Sequence, residues 1–173
     1  MAPQRTRTYA LASAAAAAIA AVLVIALGAG DQPGAEPGQP VSARLEFFDG
    51  STGDLADLAG TPVVLNFWAS WCPACVAEMA DFGDVHREFG DRVVFLGLNM
   101  QEISVDAALR LIDETGVEYR MVHDRDGALY RMFGGIAMPT TVFIDAHGSV
   151  VRVHGGVLFE DDLRRIIESE LLG

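Results

Sequence analysis

The sequence predicts an α/β fold with a central mixed sheet flanked by helices, preceded by an apolar helix at the N-terminus. Three observations support this prediction. Apolar runs of strand length alternate with amphipathic runs of helix length, two strands near the C-terminus are joined by a short turn, and one long uncharged segment comes first. Alternation with helices favours parallel strands and the hairpin adds an antiparallel pair, so the sheet should be mixed.

The N-terminal apolar segment covers residues 9–30 and carries no charged side chain. At about 1.5 Å of rise per residue, a helix of this length is just long enough to cross a bilayer. Two arginines precede the segment and Asp31 follows it, so the positive-inside rule predicts that the chain beyond residue 31 is extracytoplasmic. Two alternatives remain open for residues 1–30: an uncleaved signal anchor, favoured by the length of the run, or a signal peptide whose removal leaves a secreted protein.

Residues 31–40 have the proline- and glycine-rich composition of a linker, and residues 41–173 are predicted to form one domain. The first predicted strand is apolar except for Asn66, as expected for a central strand covered on both faces. Gly116 is a typical helix stop, and Gly148 lies in the predicted hairpin turn. The predicted elements, in chain order, are strand 62–68, helix 72–89, strand 92–98, helix 105–115, short strand 118–122, strands 140–145 and 149–153, and helix 160–172.

The chain is strongly acidic, with a formal net charge of −12 and no lysine among its basic residues. Nucleic acid and anionic lipid headgroups should repel such a protein, so neither is expected as a partner. The acidity is interpreted as a contribution to solubility.

Two cysteines, Cys72 and Cys75, are the only ones in the sequence. A disulfide scaffold needs several cysteines at wide spacings, and a tetrahedral zinc site needs a second CxxC or a pair of histidines at ligand spacing. Neither pattern is present, so no metal site and no cofactor are expected. The histidines are predicted to be surface or loop residues, and they are His86, His123, His147 and His154.

The CxxC pair has a context that favours redox chemistry over an inert or metal-binding pair. It directly follows a predicted buried strand and begins a predicted helix. The free N–H groups and the dipole of a helix N-terminus stabilise a thiolate, which is the attacking species in thiol–disulfide exchange. We therefore expect Cys72 to be the exposed nucleophile and Cys75, one turn deeper, to be the resolving thiol.

Two segments carry a resemblance to a known family. One segment is Val64 to Met79, with Asn66-Phe67-Trp68-Ala69-Ser70-Trp71 running directly into Cys72-Pro73-Ala74-Cys75, and the other is Ala137-Met138-Pro139-Thr140-Thr141. Together they resemble the active-site segment and the cis-proline strand of the TlpA/ResA family of extracytoplasmic thioredoxin-like proteins, and the match extends over residues 41–173. The resemblance implies a thioredoxin-like fold and exchange with protein thiols and disulfides.

The same resemblance implies roles for individual residues. Pro139 is expected to be a cis-proline facing the cysteines, and Met138 to offer its backbone to an extended substrate; the alternative is an ordinary trans-proline at a strand start. Trp71 is expected to shape the substrate surface together with Pro73 and Ala74. Many relatives carry proline as the second residue between the cysteines, and this departure leaves the direction of the reaction open.

Glu78 is the remaining catalytic candidate. It lies three residues after Cys75, so both share one helix face. In the family that the chain resembles, an acid at this position adjoins the cysteines, and Asn66 stands where cytoplasmic thioredoxins carry a buried aspartate. Glu78 is therefore expected to accept the proton of Cys75, with a raised pKa; the alternative is a solvent-facing residue that interacts with the helix dipole.

The preferred function is a disulfide reductase that acts on protein thiols outside the membrane, for example in cytochrome c maturation. An anchored form would need electrons from a transmembrane donor. A disulfide-forming oxidase uses the same residues at a higher potential and stays open as the first alternative. A copper metallochaperone is the alternative from another class, although thioredoxin-fold copper carriers have a longer cysteine spacing. A peroxidase is disfavoured because Cys72 lacks the flanking residues of a peroxidatic cysteine.

Overall fold

The computed structural model describes residues 40–173. The predicted apolar helix and the linker up to residue 39 lie outside the described residues. Among residues 40–173, no helix has the length and apolar character needed to cross a membrane.

The described chain contains seven strands and four α-helices. The strands are β1 (Arg44–Glu46), β2 (Thr52–Asp54), β3 (Val63–Trp68), β4 (Val94–Met100), β5 (Arg120–Asp124), β6 (Thr140–Ile144) and β7 (Val150–Gly155). The helices are α1 (Pro73–Phe89), α2 (Val105–Thr115), α3 (Ala128–Met132) and α4 (Glu160–Ile166). A 3-10 turn at Leu55–Leu58 follows β2, and a π-helical turn at Ile167–Leu171 follows α4.

The main sheet has five strands in the order β5-β4-β3-β6-β7. Strand β3 pairs with β4 in parallel and with β6 antiparallel, β4 pairs with β5 in parallel, and β6 pairs with β7 antiparallel. The predicted mixed sheet is therefore confirmed. A separate β1–β2 hairpin adds to it through a single bridge between Phe47 and Val122.

Two apolar clusters cover the two faces of the main sheet. Along β3, Val64 and Trp68 belong to the cluster that includes α1, and Leu65 and Phe67 belong to the cluster on the opposite face. This alternation follows from the two-residue period of a strand. Each fully buried large side chain stabilises the fold by roughly 2–3 kcal/mol. Asn66 points to the α1 face between two apolar neighbours, and its polar group therefore needs a partner.

Several predicted elements differ from the observed ones. The sequence predicts a helix over residues 160–172. In the structure the α-helix α4 ends at Ile166, and a π-helical turn at Ile167–Leu171 follows it. Sequence patterns missed β1, β2 and α3 because each has only three to five residues, too few to display a period. The other predicted strands and helices are present, with boundaries that differ by up to about two residues.

Candidate active site

Cys72 and Cys75 form a disulfide at the start of α1. Cys72 is the N-cap residue, and its Sγ accepts a hydrogen bond from the Cys75 backbone N–H at 3.2 Å. Pro73 occupies the first turn, where its fixed φ and missing N–H suit a helix start. The prediction of an exposed Cys72 is wrong for the disulfide form, because Cys72 is 5% exposed and Cys75 1%. Both sulfurs belong to the apolar cluster on the α1 face, against which Met138 packs.

The peptide bond between Met138 and Pro139 is cis, as the resemblance implies. The register of β6 on β3 pairs Thr140 with Phe67. Pro139 therefore lies at the C-terminal end of β3, next to the loop that leads to Cys72. Pro139 is buried, and Met138 is half-buried.

The predicted substrate-binding residues differ in exposure. Trp71 is 44% exposed and its Nε1 donates to the Gln101 carbonyl oxygen at 3.2 Å. Pro73 is exposed, and Ala74 is half-buried against the cluster that contains the cysteines. These three residues are the chain neighbours of Cys72 and include the exposed side chains next to it. By contrast, Trp68 is buried in the core, as predicted.

Glu78 has no exposed surface, so the solvent-facing alternative is excluded. Its Oε1 accepts a hydrogen bond from Asn66 Nδ2 at 2.8 Å, and its Oε2 accepts one from the Leu158 backbone N–H at 2.7 Å. Burial raises the pKa of the carboxyl from 4.5 to about 7, while the two donors act in the opposite direction. The Glu78 carboxyl can therefore gain and lose a proton near neutral pH.

Tyr119 is a second buried titratable group near Glu78. Burial raises the pKa of its hydroxyl, and the negative charge of Glu78 adds to that effect. The hydroxyl has no hydrogen-bond partner within residues 40–173. Tyr119 directly precedes the short strand β5 and belongs to no sequence motif, so no pattern in the sequence singles it out.

Glu102 is a residue of the site region that the sequence analysis missed. Its carboxylate accepts hydrogen bonds from the backbone N–H and hydroxyl of Ser70, both at 2.8 Å, and from Asn99 Nδ2 at 3.0 Å. It also accepts hydrogen bonds from the backbone N–H groups of Ile103 and Ser104. These bonds hold the pKa of Glu102 below its usual value although partial burial acts to raise it. The carboxylate thus ties the loop before Cys72 to the β4–α2 loop.

Glu102→Ala is expected to lower the free energy of unfolding by about 2–3 kcal/mol, because several donors lose a charged acceptor. Urea denaturation of the full chain in neutral detergent measures this value. Glu46→Ala is the control, since Glu46 forms only an exposed ion pair with Arg125 and should change stability by less than about 1 kcal/mol. Equal losses in the two variants would contradict the role of Glu102 as a loop anchor.

Two histidines differ from the surface or loop placement that was predicted. His86 lies on α1 with its ring against Phe95 and Tyr119, and His123 lies on β5 with its ring stacked on Phe48 at 4.1 Å. Burial lowers the pKa of both. Within residues 40–173, no group of three or more His, Cys, Asp or Glu side chains is arranged to hold a metal ion.

Comparison with known families decides the classification. The family model described as Redoxin matches residues 38–167, which include both cysteines, Glu78 and Pro139. The chain belongs to the Redoxin family. Within the Redoxin family it is similar to the thiol-disulfide oxidoreductase ResA of Oceanobacillus iheyensis, with 37% identity over 132 residues that cover 75% of this chain and 67% of that protein.

Two further relatives support the same activity class. The thiol:disulfide interchange protein DsbE of Xylella fastidiosa is 37% identical over 117 residues, covering 67% of this chain and 56% of that protein. The structure of MTB dsbF, in mixed oxidized and reduced forms, aligns with a TM-score of 0.68 and 30% identity over 73% of this chain and 93% of that one. This Redoxin protein has the thioredoxin-like fold and is a thiol–disulfide oxidoreductase with a Cys72–Cys75 pair.

Proposed function

We propose that this thiol–disulfide oxidoreductase is a reductase of protein disulfides that works outside the cytoplasmic membrane. The observation that carries the proposal is a pair of carboxyl groups that belong to, or bind, the segment that carries the dithiol. Glu78 is fully buried one helical turn after Cys75, and Glu102 binds Ser70, two residues before Cys72.

The reaction begins at Cys72. Its thiolate is stabilised by the start of α1, where the Cys75 backbone N–H already points at the Cys72 sulfur. The thiolate attacks one sulfur of the substrate disulfide, the substrate S–S bond breaks, and the second substrate sulfur leaves as a thiolate. Cys72 and the substrate are then joined by a mixed disulfide. Trp71 and the Met138 backbone are proposed to hold the substrate segment during this step.

The second step releases the substrate. Glu78 as a carboxylate takes the proton of the Cys75 thiol, and the resulting thiolate attacks the sulfur of Cys72. The mixed disulfide breaks, the Cys72–Cys75 disulfide forms, and the substrate leaves with both sulfurs reduced. Two electrons thus pass from the dithiol to the substrate, and a dithiol protein must return the enzyme to its reduced form.

The charges of Glu78 and Glu102 support the proposed direction. A CxxC pair is oxidising when its surroundings stabilise the thiolate of the reduced form. Here one carboxyl group, with a pKa of about 7, follows Cys75 by one helical turn, and a second, with a lowered pKa, binds Ser70 two residues before Cys72. Negative charge disfavours a nearby thiolate, so it stabilises the disulfide relative to the dithiol. This balance supports a reductase.

The cellular setting completes the proposal. The apolar segment 9–30 supports an anchor in the membrane or, after cleavage, secretion. For an anchored protein, a transmembrane protein dithiol is the expected electron donor. Apocytochrome cysteines before haem attachment are the proposed substrates, in accordance with the family that the sequence resembles.

The reduction potential of the full chain, equilibrated in glutathione and dithiothreitol buffers, tests the direction. We expect a value near that of thioredoxin, about −270 mV, because the surrounding carboxyl groups stabilise the disulfide. A value near that of the periplasmic oxidant DsbA, about −120 mV, would support the oxidase and overturn the reductase. The Glu46→Ala variant is the control for the loss of a carboxylate. Glu46 pairs with Arg125 and makes no hydrogen bond to residues 70–78, so the potential of this variant should equal that of the unmodified chain.

A further inference from the structure

We propose that Asn66 is a positioning residue for Glu78: its amide holds the carboxyl group in place next to the dithiol and stabilises the charged form of that carboxyl. The inference rests on the proposed function, in which Glu78 accepts the proton of Cys75. Under this inference, a residue of the central strand β3 helps to control the proton transfer from Cys75 to Glu78.

The placement of Asn66 makes its amide a fixed donor. Asn66 lies in the middle of β3 and pairs with Gly97 on one side and Thr141 on the other. It is 2% exposed, and its Nδ2 lies 2.8 Å from Glu78 Oε1 and 3.4 Å from Thr141 Oγ1. Strand pairing on both sides prevents the backbone of Asn66 from shifting, so Glu78 meets this donor in one geometry.

The sequence pattern shows that the polar group is an exception on its face of β3. The alternating neighbours of Asn66 on the same face, Val64 and Trp68, are apolar core residues. A buried amide is retained at such a position only when a partner satisfies it. The buried oxygen of Glu78 is that partner, so each of the two polar groups satisfies the other.

Groups from several elements act on the Glu78 carboxyl. Two of them donate to it and favour the charged form: the Asn66 amide and the Leu158 backbone N–H. The loss of water on burial and the charge of Asp81 favour the neutral form. The Tyr119 hydroxyl is a further titratable group close enough for its pKa to be affected by Glu78, and the Thr141 hydroxyl lies 3.4 Å from Asn66 Nδ2. Of the two donors, only the amide belongs to a side chain, so substitution can remove it.

Removing the amide should displace the proton equilibrium of Glu78. Without Asn66, Oε1 is a buried oxygen that has lost its donor, and the charged form loses more than the neutral one. We expect the pKa of Glu78 to rise by about one unit, which reduces the ionised fraction at pH 7 from roughly a half to roughly a tenth. Transfer of the Cys75 proton to Glu78 should then slow by about fivefold at that pH.

The test is a titration of the Glu78 carboxyl by ¹³C NMR on the full chain in neutral detergent, with the disulfide intact so that the cysteines do not titrate. Glu78→Gln identifies the resonance. We expect Asn66→Ala to move the midpoint upward by about one pH unit. Asn66→Leu retains roughly the volume of the side chain without a donor, covers a failure of the alanine variant to fold, and should also move the midpoint upward.

Asn99→Ala is the matched control. Asn99 is equally buried, at 2%, on the neighbouring strand β4, but its amide donates to Glu102 instead of Glu78. The midpoint of the Glu78 titration should stay unchanged in this variant. An unchanged midpoint in both Asn66 variants, or an equal shift in Asn99→Ala, would overturn the inference.

A kinetic measurement separates the inference from the function on which it rests. The rate at which Cys75 resolves a mixed disulfide is measured against pH in the same variants. A midpoint and a pH profile that move together support both proposals. A midpoint that moves while the pH profile does not supports the placement of Asn66 and overturns the proton role of Glu78.

Discussion

Cys75→Ser is expected to accumulate a mixed disulfide between Cys72 and its substrate, and to lose disulfide-reductase turnover by roughly 10³-fold or more. The variant still forms the first bond because Cys72 retains its position at the start of α1. It lacks the thiol that breaks this bond, so the intermediate persists. Insulin serves as the probe disulfide, and non-reducing electrophoresis with mass spectrometry identifies the trapped species.

Cys72→Ser is the matched control for this experiment. It removes the sulfur at the N-cap and leaves Cys75, which is 1% exposed, without access to a large substrate. Turnover should fall as far as in Cys75→Ser, but no mixed disulfide should accumulate. Equal trapping through both cysteines would contradict the assignment of nucleophile and resolving thiol.

The near-burial of Cys72 sets a condition on this chemistry. In the disulfide form the proposed nucleophile is only 5% exposed, whereas Trp71, beside it in the chain, is 44% exposed. Sequence reasoning identified Cys72 from its place at a helix start. The burial of Cys72 could not be predicted from the local sequence, because the cluster that contains both sulfurs includes residues distant in sequence. Met138, which packs against this cluster, lies 66 positions away along the chain.

Local patterns were sufficient for the main sheet and for the centre of the site. The strand–CxxC–helix order alone predicts that the cysteines lie at a helix N-terminus. The spacing of three residues predicts that Glu78 lies on the same helix face as Cys75. The short hairpin β1–β2 escaped prediction because it is held by contacts such as Phe47 with Val122, which lie far apart in sequence. A three-residue strand carries no period of its own.

The polar network around the cysteines was not predictable for the same reason. Glu78 meets Asn66 from β3 and Leu158 from the segment before α4, and Glu102 meets Ser70 across 32 positions. The Glu102–Ser70 contact forms because the parallel strands β3 and β4 end at one edge of the sheet. The Glu78 contacts form because α1 packs on one face of β3 and against the segment before α4. The only local signal of Glu102 was an acidic residue two positions after β4, and a charged loop residue is more often a solvated one.

Glu78→Gln is expected to slow the resolution of the mixed disulfide by up to about 10²-fold at pH 7, because glutamine cannot accept the proton of Cys75. In the unmodified chain this rate should rise with pH through about 7, as the Glu78 carboxyl becomes ionised. In the variant the rise through about pH 7 should be absent, because Cys75 must then ionise without assistance. Stopped-flow measurement of release from a preformed mixed disulfide follows this step. Identical pH profiles would exclude the proton role.

The same variant should change how stability depends on pH, and this gives an independent control. The pKa of Glu78 is about 7 in the folded chain and near 4.5 when unfolded, so the folded state holds its proton more tightly. The stabilisation that results is fully present below pH 4.5 and is lost as the pH rises through about 7, a change of about 3 kcal/mol. The lowered pKa values of His86 and His123 act in the opposite direction, so the difference between the two proteins is the informative quantity. The stability of the unmodified chain relative to Glu78→Gln should therefore fall between these pH values in urea denaturation, and a constant difference would mean that Glu78 is ionised in the folded chain at its ordinary pKa.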